Sequence, residues 1–281
     1  MDRAAPRKRR RRWITFAAAR RLARMRWREF RMMKKALATS PPVVRFSIVT
    51  VLVLLMALAV NWFYHAIKKP TELFFPLDNS LAKSPQETWR QYGPLFRKHS
   101  TPVITPDLLA SLAQVEGGGN PVARTYWRWN RTWNPLDLYR PASSAAGMYQ
   151  ITDSTFREAK RYCIHNHKVI LDGPWTDVNS CWFNSLYTRV VPSHAIELTA
   201  ARLDRAVASA IGQRRNTFVT LQRKQDLAVV IHLCGAGAGQ AYARNSFRLI
   251  SRQRCGDHDV SRYLTNVNVM RKQFARLSTL S

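Results

Sequence analysis

Residues 46–66 run Phe-Ser-Ile-Val-Thr-Val-Leu-Val-Leu-Leu-Met-Ala-Leu-Ala-Val-Asn-Trp-Phe-Tyr-His-Ala, without one Lys, Arg, Asp or Glu. About 20 apolar residues make a helix able to cross a bilayer. The same run inside a water-soluble domain would have to be enclosed by other elements, and the residues before it cannot enclose it. Positions 1–45 hold 16 Lys and Arg against 2 acids, a net charge of +14, and residues 7–12 are an unbroken basic run. The predicted order is a basic cytoplasmic tail over 1–45, then a single N-terminal transmembrane helix over 46–66. Trp62, Phe63 and Tyr64 stand where an interfacial aromatic belt belongs, and the Lys/Arg-rich side stays in the cytoplasm. A cleaved signal peptide is the alternative, since Ala57-Leu58-Ala59 resembles a cleavage site. The long basic region and the continuation of the apolar run past that site favour an uncleaved anchor.

The whole chain carries +28 over 281 residues. Such basicity speaks to partners, not to fold: nucleic acid, anionic lipid or an anionic cell-wall polymer. In the tail, Trp13, Phe16, Leu22, Met25, Trp27, Phe30 and Met33 interleave with arginines. Its position beside the membrane segment favours anionic headgroups, at about 1 kcal/mol per Lys or Arg, over nucleic acid. The four cysteines, Cys163, Cys181, Cys234 and Cys255, all follow the apolar run. An even count on the exported side suits two disulfides, and of the three possible connectivities the sequence-local one is favoured, Cys163–Cys181 and Cys234–Cys255. Cys163-x-His165-x-His167 lacks a usual zinc spacing and a fourth ligand, so no metal is expected.

Residues 67–100 read as a connector, with a short helix around Pro85 to Phe96. From 101 to 281 the pattern is mainly α. Thr105 and Pro106 open a helix with Leu108, Leu112 and Val115 on one stripe, which Gly117-Gly118-Gly119 stops. Thr155-x-x-Glu158 has the form of a capping box for a helix reaching Cys163. Residues 195–212 are amphipathic. Leu227, Val230, Ile231 and Cys234 mark another helix, halted by Gly235, and Val260, Leu264, Val267 and Phe274 mark the last. A hairpin fits between 163 and 194. His232 reads as a core histidine.

Two short segments carry the chemistry. Glu116, in Val115-Glu116-Gly117-Gly118-Gly119-Asn120, borders an apolar stripe at a helix C-terminus. Burial and the helix dipole both disfavour its ionised form, as a glycosidic general acid requires. About thirty residues on, Ala145-Ala146-Gly147-Met148-Tyr149-Gln150 is a small-residue turn that offers a hydroxyl and an amide.

These segments resemble the motifs of the soluble lytic transglycosylase (SLT) family. There the catalytic Glu is usually followed by Ser and a Gly-Asn-Pro stretch; here Gly117 follows, with Gly119-Asn120-Pro121 retained. The family's Gly-Leu-Met-Gln is similar to Gly147-Met148-Tyr149-Gln150, and the Tyr variant is also similar to lambda-type phage endolysins. The family's Ala-Tyr-Asn-Ala-Gly-x-Gly resembles Leu233 to Gly239, with Cys234 and Gly235 in place of Tyr and Asn. That Tyr lies near the catalytic Glu in the family, so Tyr149, Tyr242 and Tyr126 become candidates for its role.

The resemblance covers roughly residues 101–255 and implies a lysozyme-like domain that cleaves peptidoglycan glycan strands without a cofactor. Glu116 would protonate the glycosidic oxygen, then act as base on the 6-hydroxyl to close a 1,6-anhydro ring. Gly147, Met148, Tyr149, Gln150, Asn120, Tyr126 and Tyr242 would line the substrate site. The implied place is the bacterial inner membrane with the C-terminal domain in the periplasm, and the partners it suggests are an envelope secretion, pilus or division complex. A hydrolytic muramidase on the same fold would need a second carboxylate, with Asp137 and Asp153 the nearest candidates. A non-catalytic glycan-binding scaffold is the third reading. Residues 126–140 interleave aromatics with arginines, a pattern that suits sugar rings and stem-peptide carboxylates, single-stranded nucleic acid, or plain side-chain packing.

Overall fold

A computed structural model describes residues 38–77, 79–174, 176–177, 180–212 and 218–279, with positions 24, 27, 31 and 32 before them. Most of the basic tail, including residues 7–12, lies outside the described residues. The chain is mainly helical and divides into two compact units, 1–60 and 61–281. Helix α1, Pro42–Lys68, starts in the first unit and ends in the second. It is long and apolar enough to cross a membrane, and the apolar side chains along it are exposed.

The second unit is built around α3 (Pro106–Gly117), with Thr105 at its N-cap and Pro106 in its first turn. Its C-cap is Gly118, whose φ of 57° is the left-handed conformation that glycine adopts without a Cβ penalty. Leu108, Leu109, Leu112 and Ala113 are fully buried. They pack against α2 (Pro85–Lys98) and the last helix, α8 (Val260–Thr279). Helices α5 (Pro192–Gly212), α6 (Leu221–Cys234) and α7 (Ala236–Arg244) form the other side of the core. Gly239 lets α7 approach α6, since a Cβ there would stand 2.2 Å from Ile231 Cγ1.

The segment expected as a connector belongs to this core. Ser84 and Glu87 make a complete capping box at the start of α2. Trp89, Tyr92 and Phe96 then recur on one face and are buried against α3 and α8. The charged residues around them, Glu87, Arg90, Arg97 and Lys98, give the segment a polar average that hides this stripe.

Two further local expectations change. Helix α4 is Asp153–Ala159 and its cap is Thr152, whose hydroxyl accepts from Thr155 N. Glu158 is not a capping partner; it pairs with Arg202 at 2.9 Å. Cys163 lies in a strand, because β3 (Tyr162–His165) and β4 (Lys168–Leu171) form a hairpin. Asn166 and His167, with φ of 49° and 61°, make its two-residue turn, as right-twisted strands require. Two smaller antiparallel pairs join β1 (Trp127–Trp129) to β2 (Tyr139–Pro141), and β5 (Arg254–Cys255) to β6 (His258–Asp259).

Both disulfides have the sequence-local pairing, with Cα–Cα distances of 5.4 Å. Cys163 is bonded to Cys181 and so is not available as a metal ligand. The bonds close chain separations of 18 and 21 residues. Cross-links of that span restrict the unfolded chain by about 3 kcal/mol each. Reduction is therefore expected to lower the denaturant midpoint markedly, and thiol labelling before reduction should find no reactive cysteine. An unchanged midpoint after complete reduction would contradict this.

Candidate active site

Glu116 sits in the last turn of α3 and lines a cleft of about 930 Å³. Its side chain is 16% exposed, so it is accessible to a ligand yet largely desolvated. The Tyr263 hydroxyl, from α8, donates to Glu116 Oε1. His232 Nε2, from α6, stands 3.7 Å from the same oxygen. Three helices far apart in sequence thus converge on one carboxylate.

The two partners keep their protons in defined places. Burial raises the Tyr263 phenol well above its ordinary value, and the negative charge of Glu116 adds to this, so Tyr263 stays a donor. Burial lowers His232 below the usual imidazole value, against the opposing pull of Glu116. His232 also hydrogen-bonds the Tyr149 backbone. The downward shift favours the neutral imidazole beside the carboxylate over a fixed ion pair.

The turn expected to bind sugar meets Glu116 through backbone. A Cβ on Gly117 would stand 2.8 Å from Met148 Cα, so a larger residue after Glu116 would push the two segments apart. Gly147 has φ +79°, and a Cβ there would stand 2.2 Å from the Arg189 carbonyl oxygen. Gly147→Ala is therefore expected to cost about 2 kcal/mol or more through strain and overpacking. A shift in urea midpoint would report it, and a wild-type midpoint would contradict the close approach.

The other expected site residues separate into two groups. Gln150 lines the cleft, and its Nε2 donates to the Ala123 and Gly147 carbonyls at 3.1 and 3.0 Å, which fixes the turn. Tyr126 also lines the cleft, with its hydroxyl donating to Asp257 at 2.9 Å across the opening. Met148 and Tyr149 have no exposed surface, and the Tyr149 hydroxyl donates to the Leu109 carbonyl at 3.1 Å. Tyr149 is thus a core residue with no face for a sugar ring. Asn120 is buried and accepts from Val122 N at 2.9 Å, which shapes the turn after α3. Tyr242 is buried edge-on against Phe247 and does not line the cleft.

Tyr263, not one of the three candidate tyrosines, contacts Glu116. It is separated from Glu116 by 147 residues. Its one sequence signal is its place on the α8 stripe with Val260, Val267 and Phe274, which are buried like it. His232 likewise borders the core, as its sequence implies, but it also flanks the carboxylate. Asp137 and Asp153 line a separate depression and pair with Arg140 and Arg189 at 3.8 and 2.7 Å. The acids that share the cleft with Glu116 are Asp257 and Asp259, in the β5–β6 hairpin, among Arg124, Arg128, Arg254 and Arg262. The Cys234–Cys255 bond ties that hairpin to the end of the helix carrying His232. Comparison of the sequence with protein-family models and with curated proteins gave no match.

Proposed function

We propose that the chain is a membrane-anchored peptidoglycan lytic transglycosylase with a lysozyme-like domain, and that Glu116 is its general acid and base. The observation that carries this reading is an accessible carboxylate, hydrogen-bonded by a buried phenol, that lines a cleft of about 930 Å³. Glu116 in its protonated form gives its proton to the oxygen leaving N-acetylmuramic acid. The resulting carboxylate is stabilised by the Tyr263 hydrogen bond. It then takes the proton of the 6-hydroxyl as that oxygen attacks C1, which closes the anhydro ring and restores the acid. The intramolecular hydroxyl stands in for water, so no second carboxylate is needed to activate one. Arginines along the cleft suit the carboxylates of the stem peptides.

In this reading α1 crosses the inner membrane once, the basic tail faces the cytoplasm and anionic lipid, and residues 67–281 lie in the periplasm. The oxidised cysteines agree with that compartment. An envelope secretion, pilus or division complex is the setting in which such an anchored enzyme would open the wall. Hydrolysis is the second reading, favoured by Asp257 and Asp259 in the same cleft.

Incubation of residues 61–281 with purified sacculi should release soluble glycan. Tyr263→Phe should slow that release about 10–100-fold, the worth of one hydrogen bond to a charged group. The fold should persist, since the ring stays in place. Wild-type release by Tyr263→Phe would remove the phenol from the mechanism, and no release by the unaltered protein would favour the scaffold reading.

A further inference from the structure

The β1–β2 hairpin has a chemistry that the cleft does not use. Strand pairing puts Trp127, Trp129, Tyr139 and Pro141 on one face and Arg128 and Arg140 on the other. Trp127 is held in place: its Nε1 donates to Glu72 at 2.8 Å, and its ring meets His65 edge-on at 5.4 Å. Trp129 lies 4.7 Å from the Tyr139 ring yet is 71% exposed, and Trp133, in the connecting loop, is fully exposed. Leu138, which precedes Tyr139 in the chain, is exposed. Neither Trp129 nor Trp133 lines the cleft, whereas Tyr126 and Arg128 at the hairpin root do.

The hairpin is fastened to the end of α1. Asn61 Nδ2 donates to the Tyr139 carbonyl at 2.6 Å, and the Leu136 carbonyl hydrogen-bonds His65 Nε2 at 2.8 Å. Asn61 and His65 belong to the last two turns of a 27-residue helix. Such a helix is about 40 Å long against about 30 Å of hydrocarbon, so one that crosses a bilayer brings its last turns to the headgroups. Trp62, Phe63 and Ile67 are exposed on those same turns. The exposed indoles of the hairpin are thus attached where a bilayer would end.

We propose that the β1–β2 hairpin is a second membrane contact, in which Trp129, Trp133 and Leu138 enter the headgroup–acyl boundary of the bilayer that α1 crosses. This rests on the membrane-spanning reading of α1. Indole rings partition to that boundary, and the neighbouring Arg131 supplies a cation for anionic headgroups. Because the hairpin root also forms part of the cleft, the contact keeps the cleft next to the membrane. The substrate it selects is then the layer of glycan strands nearest the bilayer.

The test uses the full chain in vesicles of phosphatidylethanolamine and phosphatidylglycerol. A Trp133→Cys variant is labelled with an environment-sensitive fluorophore, and a Ser251→Cys variant, at an exposed position in another loop, serves as comparison. The native cysteines are held in disulfides and do not compete for label. Flotation with the vesicles establishes anchoring first. The proposal expects a blue-shifted emission at 133, with most of it quenched by lipids carrying a nitroxide near the headgroup, and neither effect at 251. A Leu138→Cys label should behave like 133. A chain that floats while the 133 label matches the 251 label overturns the hairpin contact and leaves the anchor standing. A chain that does not float overturns both.

Discussion

Glu116→Gln is expected to lower glycan release from sacculi by about 10³-fold, within the range that one general acid–base group contributes. The amide keeps the shape and still accepts a hydrogen bond from Tyr263, so the contacts of α3, α6 and α8 around it are preserved. It cannot give a proton to a leaving oxygen or take one from the 6-hydroxyl. A melting temperature close to that of the unaltered protein, together with retained binding to sacculi, would separate loss of chemistry from loss of fold. Full activity in the variant would remove Glu116 from the mechanism and send attention to Asp257 and Asp259, which share its cleft.

The second large effect concerns where the domain begins. Residues 101–281 alone are expected not to fold cooperatively, whereas residues 61–281 should. Helix α2 contributes Trp89, Tyr92 and Phe96 to the core, with Phe96 fully buried. Thr88 packs against the turn after α3, where a Cβ on Gly119 would stand 2.2 Å from its hydroxyl oxygen. Truncating one buried aromatic costs about 3–5 kcal/mol, and a whole domain has only about 5–15 kcal/mol in hand. Removal of three, about 9–15 kcal/mol, uses most or all of that reserve. In the longer chain Phe96→Ala alone should lower stability by about 3–5 kcal/mol, read from denaturant unfolding. A cooperative melt of residues 101–281 at the midpoint of the longer chain would show that α2 is dispensable.

Features set by neighbouring residues were legible in the sequence. The uncharged run, the Thr105-Pro106 start and Gly118 stop of α3, and the pairing of nearby cysteines each depend on a few adjacent positions. Features set by distant residues were not. The hydroxyl beside Glu116 comes from Tyr263, whose aromatic ring fits the apolar stripe of α8 and so gives no separate signal. Tyr149 sits in the small-residue turn but has its ring in the core, with its hydroxyl on the Leu109 carbonyl, a placement that its neighbours in sequence do not signal. Thr152, Ser154 and Thr155 all offer a hydroxyl near one helix start, and the choice of Thr152 leaves Glu158 to Arg202. The role of α2 was masked by its average polarity, although Trp89, Tyr92 and Phe96 already have helical spacing.

The most direct test of the central claim is the mass of the muropeptides that residues 61–281 release from purified sacculi. An intramolecular hydroxyl that replaces water yields products lighter by the mass of one water, about 18 Da, than those of a hydrolase. The account predicts these anhydro products from the unaltered protein and their loss in Glu116→Gln. Products with free reducing ends would contradict it and identify a hydrolytic muramidase.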